Sequence, residues 1–408
     1  MTVALFASAP GHMCFAPMSY KEPATQRPAK STTEPKLPKQ ATKKSESGAK
    51  AQPSQALYAG LSLEAKARAA VVNAFVNSPV ELTTVFQVKS IIGFGSNGVV
   101  LAAKNMTLEG APATVAIKII YKAEPSLNAP TPSEIDAFRT LSGTFNIPLI
   151  TQYVADWQDA NHFYLVSQIF GSNWEAASPL AIGDSFKPLA FKLTHEDKTT
   201  RFVFPFSSGS SDLWSWSQAH RAHMFQTEKH SFLPTEPVKH IVKQMATALS
   251  QIHAQGYYHG DVKIENCLVR GSDDADRPTI RLTDFGHAKK VDMPISSYGT
   301  QDVSPPEFLF DSPYDRASLD GTKADIFALG LVLYVLLNSD GELPAAVGAI
   351  RARMVGYEAL LARDGGRYPF DAIPDLDESA WDLMNGMCQV DPSKRMSIED
   401  ILAHPWLA

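Results

Sequence analysis

The sequence predicts an α+β fold, with strands gathered in the first half of the ordered chain and helices in the second. Between residues 85 and 206, short runs of β-branched and aromatic residues recur, bounded by Gly, Asn, Ser or Pro. After them the period changes: Val238, Ile241, Val242, Met245, Leu249 and Ile252 fall at helical spacing. A twelve-residue apolar run over 326–337 is too short to span a bilayer and reads as a buried helix.

A chain of 408 residues is long enough for two or three compact units, and a hydrophobic share of 44% is that of a globular protein. Cys14, Cys267 and Cys388 have neither disulfide-framework nor metal-ligand spacing, which points to a reducing compartment, cytoplasmic or nuclear. The first eighteen residues carry no Lys or Arg, so the charged start of a secretory signal is missing. The net charge of −6 is unevenly spread: residues 1–56 hold eight Lys or Arg against three Glu (+5), leaving 29 against 40 (−11) for the rest. An acidic body favours cationic partners, such as protein substrates with basic segments, and reads equally as a solvated surface. Nucleic acid and membrane are not expected as partners, and a monomer is expected.

Residues 1–56, rich in Pro, Ala, Ser, Thr and Lys, lack the apolar surface that would offset their ordering entropy, so a disordered basic tail is expected. Lys43-Lys44 reads as part of that soluble tail or as a targeting signal. Residues 57–206 form the expected first unit. It opens with a helix over 61–77, where Leu63, Ala67, Val71, Phe75 and their neighbours have helical spacing, ended by Ser78-Pro79. Residues 207–408 form the second, mainly helical unit.

Gly93, Gly95 and Gly98 follow a strand over 86–92. The same spacing opens a dinucleotide-binding helix, but Val99, Val100 and Leu101 are β-formers and 105–110 reads as a turn, so these glycines sit in a hairpin. Without Cβ atoms, the N–H groups of such a loop can approach phosphates. The next strand, over 114–121, holds Lys118 among Val115, Ala116, Ile117, Ile119 and Ile120. A lysine there costs free energy to bury unless an anion meets it; an edge lysine reaching for water is the plainer alternative. The anion expected is Glu134, on a helix opened by Thr131-Pro132-Ser133, rather than Asp136, because Ile135 and Phe138 then make the buried face. Glu124 is the fallback.

Two segments compete for the strand that leads from the first unit into the second, 163–170 and 201–206. The second is followed by a serine-glycine stretch and a capped helix, and is preferred. Residues 171–200 then form an inserted loop or hairpin.

Beyond the helix over 233–254 comes His259-Gly260-Asp261-Val262-Lys263-Ile264-Glu265-Asn266. It places a carboxylate, an ammonium and a carboxamide at spacings of two and three, groups able to accept a proton, steady a phosphoryl oxygen and hold a metal. A hairpin of 267–269 and 279–283 across the acidic loop 272–276 ends at Asp284-Phe285-Gly286.

In this order the motifs resemble a eukaryotic protein kinase catalytic domain, over about residues 85–407. Pro305-Pro306-Glu307 stands where the family has A-P-E, Asp325-Ile326-Phe327-Ala328-Leu329-Gly330 where it has D-x-W-x-x-G, and Asp391 to Arg395 with His404-Pro405-Trp406 closes the domain. Lys263 and Thr300 are similar to the serine/threonine class. The resemblance implies a bilobal fold, a small β-rich lobe and a larger helical lobe with ATP between them, and a serine/threonine kinase using ATP and Mg²⁺. Asp261 would then accept or orient the proton of the substrate hydroxyl, and Lys263 would neutralise charge on the moving γ-phosphoryl. Lys118, fixed by Glu134, would grip the α- and β-phosphates beneath Gly93, Gly95 and Gly98. Asn266 and Asp284 would hold Mg²⁺. Val100, Ala116 and Leu268 would enclose the adenine, with the Pro205 carbonyl and the Ser207 N–H at its edge. Glu307, Arg395 and Asp325 would be structural.

One departure stands out. Gly260 occupies the place of the family's usual Arg, which receives a phosphorylated residue of the activation segment; glycine has no guanidinium to offer. Ordering of residues 287–304 is therefore expected not to depend on phosphorylation of Ser296, Ser297 or Tyr298 by that route. The alternative function is a pseudokinase scaffold that binds nucleotide or partners without catalysis, favoured by the insert and by Gly260. Against it, every polar group the chemistry requires is present.

Overall fold

A computed structural model describes residues 2–5, 56–171, 187–195, 197–206, 212–270, 277–295 and 297–408. Strand β1 (Thr2–Leu5) is followed by helix α1 (Leu63–Asn77), where the Ser62 hydroxyl caps the first turn by accepting from the Ala65 N–H at 3.2 Å. Next come β2 (Phe86–Phe94), β3 (Gly98–Asn105), β4 (Thr114–Tyr121), the short helix α2 (Ser133–Phe138), β5 (Tyr153–Gln158) and β6 (His162–Gln168). They form an antiparallel sheet in the order β2-β3-β4-β6-β5. The period of two along β4 sorts its side chains: Val115, Ile117, Ile119 and Tyr121 enter a core shared with Val71 and Phe75 of α1, whereas Ile120 packs with Ile135 and Phe138 of α2. Lys118 shares the Ile120 face.

A hairpin of β7 (Leu189–His195) and β8 (Lys198–Phe204) forms a second small sheet with β1, in the order β1-β7-β8. Phe191 and Phe204 lie 5.6 and 5.2 Å from the Phe75 ring, so α1 and this hairpin together cover the outer face of the main sheet. Two expectations change here. The tail contributes a strand, because residues 2–5 pair with β7; the rest of 1–55, with Lys43-Lys44, lies outside the described residues. The strand beside β4 is β6, not 201–206, although 201–206 is the segment that precedes the second lobe. Lys118 pairs with Leu165 and Ala116 with Ser167, while residues 201–204 belong to the inserted hairpin.

The second lobe begins with α3 (Leu213–Thr227), capped where the Asp212 carboxylate accepts from the Ser215 N–H at 2.7 Å. It continues through α4 (Thr235–Ala254), β9 (Tyr257–Tyr258), the hairpin β10 (Cys267–Arg270) and β11 (Thr279–Leu282), and β12 (Lys289–Lys290), which pairs with β9. Then follow α5 (Gly321–Leu337), α6 (Ala345–Arg351), α7 (Tyr357–Leu361), α8 (Glu378–Met387) and α9 (Ile398–Leu402). Helix α5 is apolar on all sides and buried almost throughout, as a helix in the centre of a lobe must be; α4 and α8 flank it. The Arg395 guanidinium donates to both carboxylate oxygens of Glu307, at 2.7 Å to Oε1 and 2.5 Å to Oε2, with both side chains buried. Cys267 and Cys388 are free and buried, and among the described residues no helix is long and apolar enough to cross a membrane.

Candidate active site

The Lys118 ammonium bonds to Glu134 of α2 and, at 2.8 Å, to Oδ1 of Asp284. Three segments far apart in sequence are thus joined at one charge. Asp136, the acid not preferred from the sequence, faces Arg139 at 3.5 Å instead. Burial opposes the charge on Lys118, but the two carboxylates outweigh it and hold its pKa above the usual lysine range. The same ammonium is the main reason that Asp284 is held below the ordinary carboxylate range. Asp284 sits at φ +62°, a conformation L-residues rarely adopt. Beside it the Phe285 ring stacks on Phe138 of α2 at 5.3 Å and meets His259 at 5.1 Å.

The loop after β9 supplies the second half. Asn266 Nδ2 donates to the Asp261 carbonyl at 2.9 Å and to its Oδ2 at 3.0 Å. Lys263 Nζ lies 2.9 Å from the same Oδ2 and donates to the Thr300 hydroxyl at 2.6 Å. The Thr300 N–H donates to Asp261 Oδ1 at 2.7 Å. Burial alone would raise the pKa of Asp261; Lys263 and Thr300 reverse that and keep it lowered, hence ionised at neutral pH. Gly299 is needed for this close approach, because a Cβ there would strike the Asp261 carboxylate. The loop is anchored from below by Asp325, which accepts from the N–H groups of His259 at 2.7 Å and Gly260 at 2.9 Å. The halves meet where the Thr283 N–H donates to the Asn266 carbonyl at 3.0 Å.

The glycines lie in the β2–β3 hairpin as expected, Gly93 within β2, Gly95 in the turn and Gly98 opening β3, the turn closed by Gly95 N–H to Gly98 O at 2.9 Å. In the antiparallel register Val100 faces Lys118 and Ala102 faces Ala116, so Val100 and Ala116 share the Lys118 side of the sheet. Leu268 lies half-buried in β10 between Cys267 and Val269, which point into the main core. Pro205 does not join them. Its carbonyl accepts from the Ile91 N–H at 2.9 Å, which ties it to the outer edge of β2 and leaves it committed to the sheet. Ser207 lies outside the described residues. The stretch beside the cleft is the end of β6, where Gln168 accepts from Arg281 at 2.9 Å and the guanidinium groups of Arg270 and Arg281 lie 4.5 and 4.7 Å from the centre of the Phe170 ring.

The protein kinase domain model matches residues 191–407. The chain belongs to that family. A serine/threonine-protein kinase of Drosophila simulans is 31% identical over 180 residues, covering 41% of this chain and 21% of its own length. CBL-interacting protein kinase 25 of Oryza sativa subsp. japonica is 30% identical over 165 residues, covering 40% of this chain and 29% of its own. The chain thus spans between about a fifth and three tenths of the relatives it matches. The kinase fold accounts for the antiparallel first lobe and the helical second lobe. Among the described residues no group of three or more His, Cys, Asp or Glu is placed to hold a metal on its own. The pair Asn266 and Asp284 fits Mg²⁺, which binds through one or two protein oxygens together with substrate phosphates rather than in an all-protein cage. Because the Asn266 nitrogen is spent on Asp261, its amide oxygen is the atom left for a cation.

Proposed function

We propose that this kinase domain is catalytically active and transfers the γ-phosphoryl of ATP to serine or threonine hydroxyls of protein substrates, basic segments among them. The observation that carries this is Lys118 held between Glu134 and Asp284 while Asp261 keeps its partners Lys263 and Asn266. These contacts support a reading in which the two groups of residues act together on a phosphoryl group. Asp261 orients the attacking hydroxyl and receives its proton. Lys263 offsets charge on the transferred group. Lys118 meets the α- and β-phosphates, and the glycine hairpin closes over them. Asn266 and Asp284 would hold Mg²⁺, which would supply positive charge against the phosphates. Val100, Ala116 and Leu268 form the apolar walls for adenine. The departures at Gly260 and in the insert remove none of these groups, so a catalytically silent scaffold is the less economical reading.

The test is phosphate transfer from labelled ATP with Mg²⁺ to a mixture of basic peptides, with Asp284→Asn in parallel. Label that depends on Asp284 is the expected result. Equal label in both samples would refute the enzyme, and nucleotide binding without transfer would leave a scaffold.

A further inference from the structure

Gly260 closes off the usual way of fixing an activation segment. It sits at φ +79°, and a Cβ at that place would drive into the His287 carbonyl oxygen, so no side chain is accommodated there to meet a phosphate. Yet residues 298–300 lie firmly across the loop, with the Gly299 N–H donating to the Gly260 carbonyl at 2.8 Å. The anchor is Tyr298, which is 3% exposed. Its hydroxyl donates to Asp325 Oδ1 at 2.8 Å and accepts from the Val262 N–H at 3.2 Å. The same Oδ1 accepts the Gly260 N–H at 2.9 Å. One phenol therefore ties the activation segment to the residues on both sides of Asp261, directly to Val262 and through Asp325 to Gly260.

We propose that Tyr298 is a positioning residue for Asp261: its unmodified hydroxyl, clamped between the Asp325 carboxylate and the Val262 amide, holds the activation segment in working order without a phosphate. The proposal rests on the kinase reading above. Burial and the Asp325 carboxylate keep the phenol far above the ordinary tyrosine range, so it retains the proton it donates. A phosphate on this oxygen has no room while the clamp is closed. Ser297, next in the chain, is exposed and takes no part in it.

The test compares the whole chain with Tyr298→Phe and with Ser297→Ala, all shown by mass spectrometry to carry no phosphate between residues 287 and 304. Tyr298→Phe is expected to lower kcat by about tenfold or more through misplacement of Asp261, with KM for ATP within about twofold. Hydrogen exchange at the Val262 amide is expected to quicken, because that N–H loses its acceptor. Ser297→Ala should change neither. A Tyr298→Phe kcat within about threefold of wild type, or unchanged exchange at Val262, would overturn the clamp. If even the wild type transfers no phosphate, the kinase reading falls, and exchange alone decides the clamp. If Tyr298→Phe does not fold, the phosphate-free wild type decides: slow exchange at Val262 with transfer supports the clamp, and fast exchange overturns it.

Discussion

Replacing Lys118 by Met removes one ammonium from two carboxylates while keeping an apolar stem of similar length on the cleft face of β4. The two partners respond differently. The Glu134 side chain is 11% exposed and is left almost buried without its counter-ion, whereas Asp284 is 44% exposed and regains water. Breaking a fully buried pair costs about 3–5 kcal/mol, and exposed pairs contribute about 0–1 kcal/mol. With Lys118 itself 23% exposed, the cost to folding falls between them, about 1–3 kcal/mol. At about 2–4 °C per kcal/mol the melting temperature should drop by several degrees, leaving the protein folded at room temperature. Transfer should suffer far more, since one preorganised charge at the reacting group contributes about 10²–10³ in kcat, or about 2.7–4 kcal/mol. The assay is initial-rate phosphate transfer at saturating Mg²⁺-ATP, beside thermal unfolding of the same preparations. A kcat within about threefold of wild type would refute the assignment of Lys118 to the phosphates. Unfolding at room temperature would refute the partition between site and fold.

Two further outcomes follow from the same geometry. Gly260→Ala combines a left-handed backbone, about 1–2 kcal/mol for an L-residue, with a collision against the His287 carbonyl, so calorimetry should show a loss of at least about 2 kcal/mol; unchanged stability would show that the loop yields. Asp261 has a lowered pKa in the folded protein. Its ionic contribution to stability is therefore complete above the unfolded value of about 3.9 and is lost as pH falls through the lower folded value. Asp261→Asn should melt below wild type at pH 7, and the difference should narrow as pH falls below about 4. A gap unchanged over that range would mean that the carboxylate charge is not what stabilises the loop.

Elements with a strong local period were legible without coordinates. Helix α4 was marked by its 3.6-residue spacing, β4 by its β-branched run, and the glycine hairpin by the β-formers after Gly98. Glu134 was legible because Ile135 and Phe138 had to be buried, and that places the acid toward β4. The strand beside β4 was not. Residues 163–170 and 201–206 are both short apolar runs, and the second has the better turn chemistry after it. What separates them is pairing with β4, a contact between residues dozens of positions apart. Tyr298 was noted only as a phosphorylation position, for a related reason: a tyrosine beside serine and glycine resembles an exposed site until α5 and the loop at Val262 enclose its hydroxyl.

By itself the sequence marked the helical spacing of α4, the apolar strand around Lys118 and the glycine hairpin, because those follow from side-chain type and from periods set within a few residues. Tertiary structure alone decided that β6 lies beside Lys118, that Pro205 is tied to the sheet edge and that Tyr298 is an internal clamp. Those outcomes depend on which distant surfaces bury one another and on where a buried donor finds its acceptor, and only the folded chain brings such partners together.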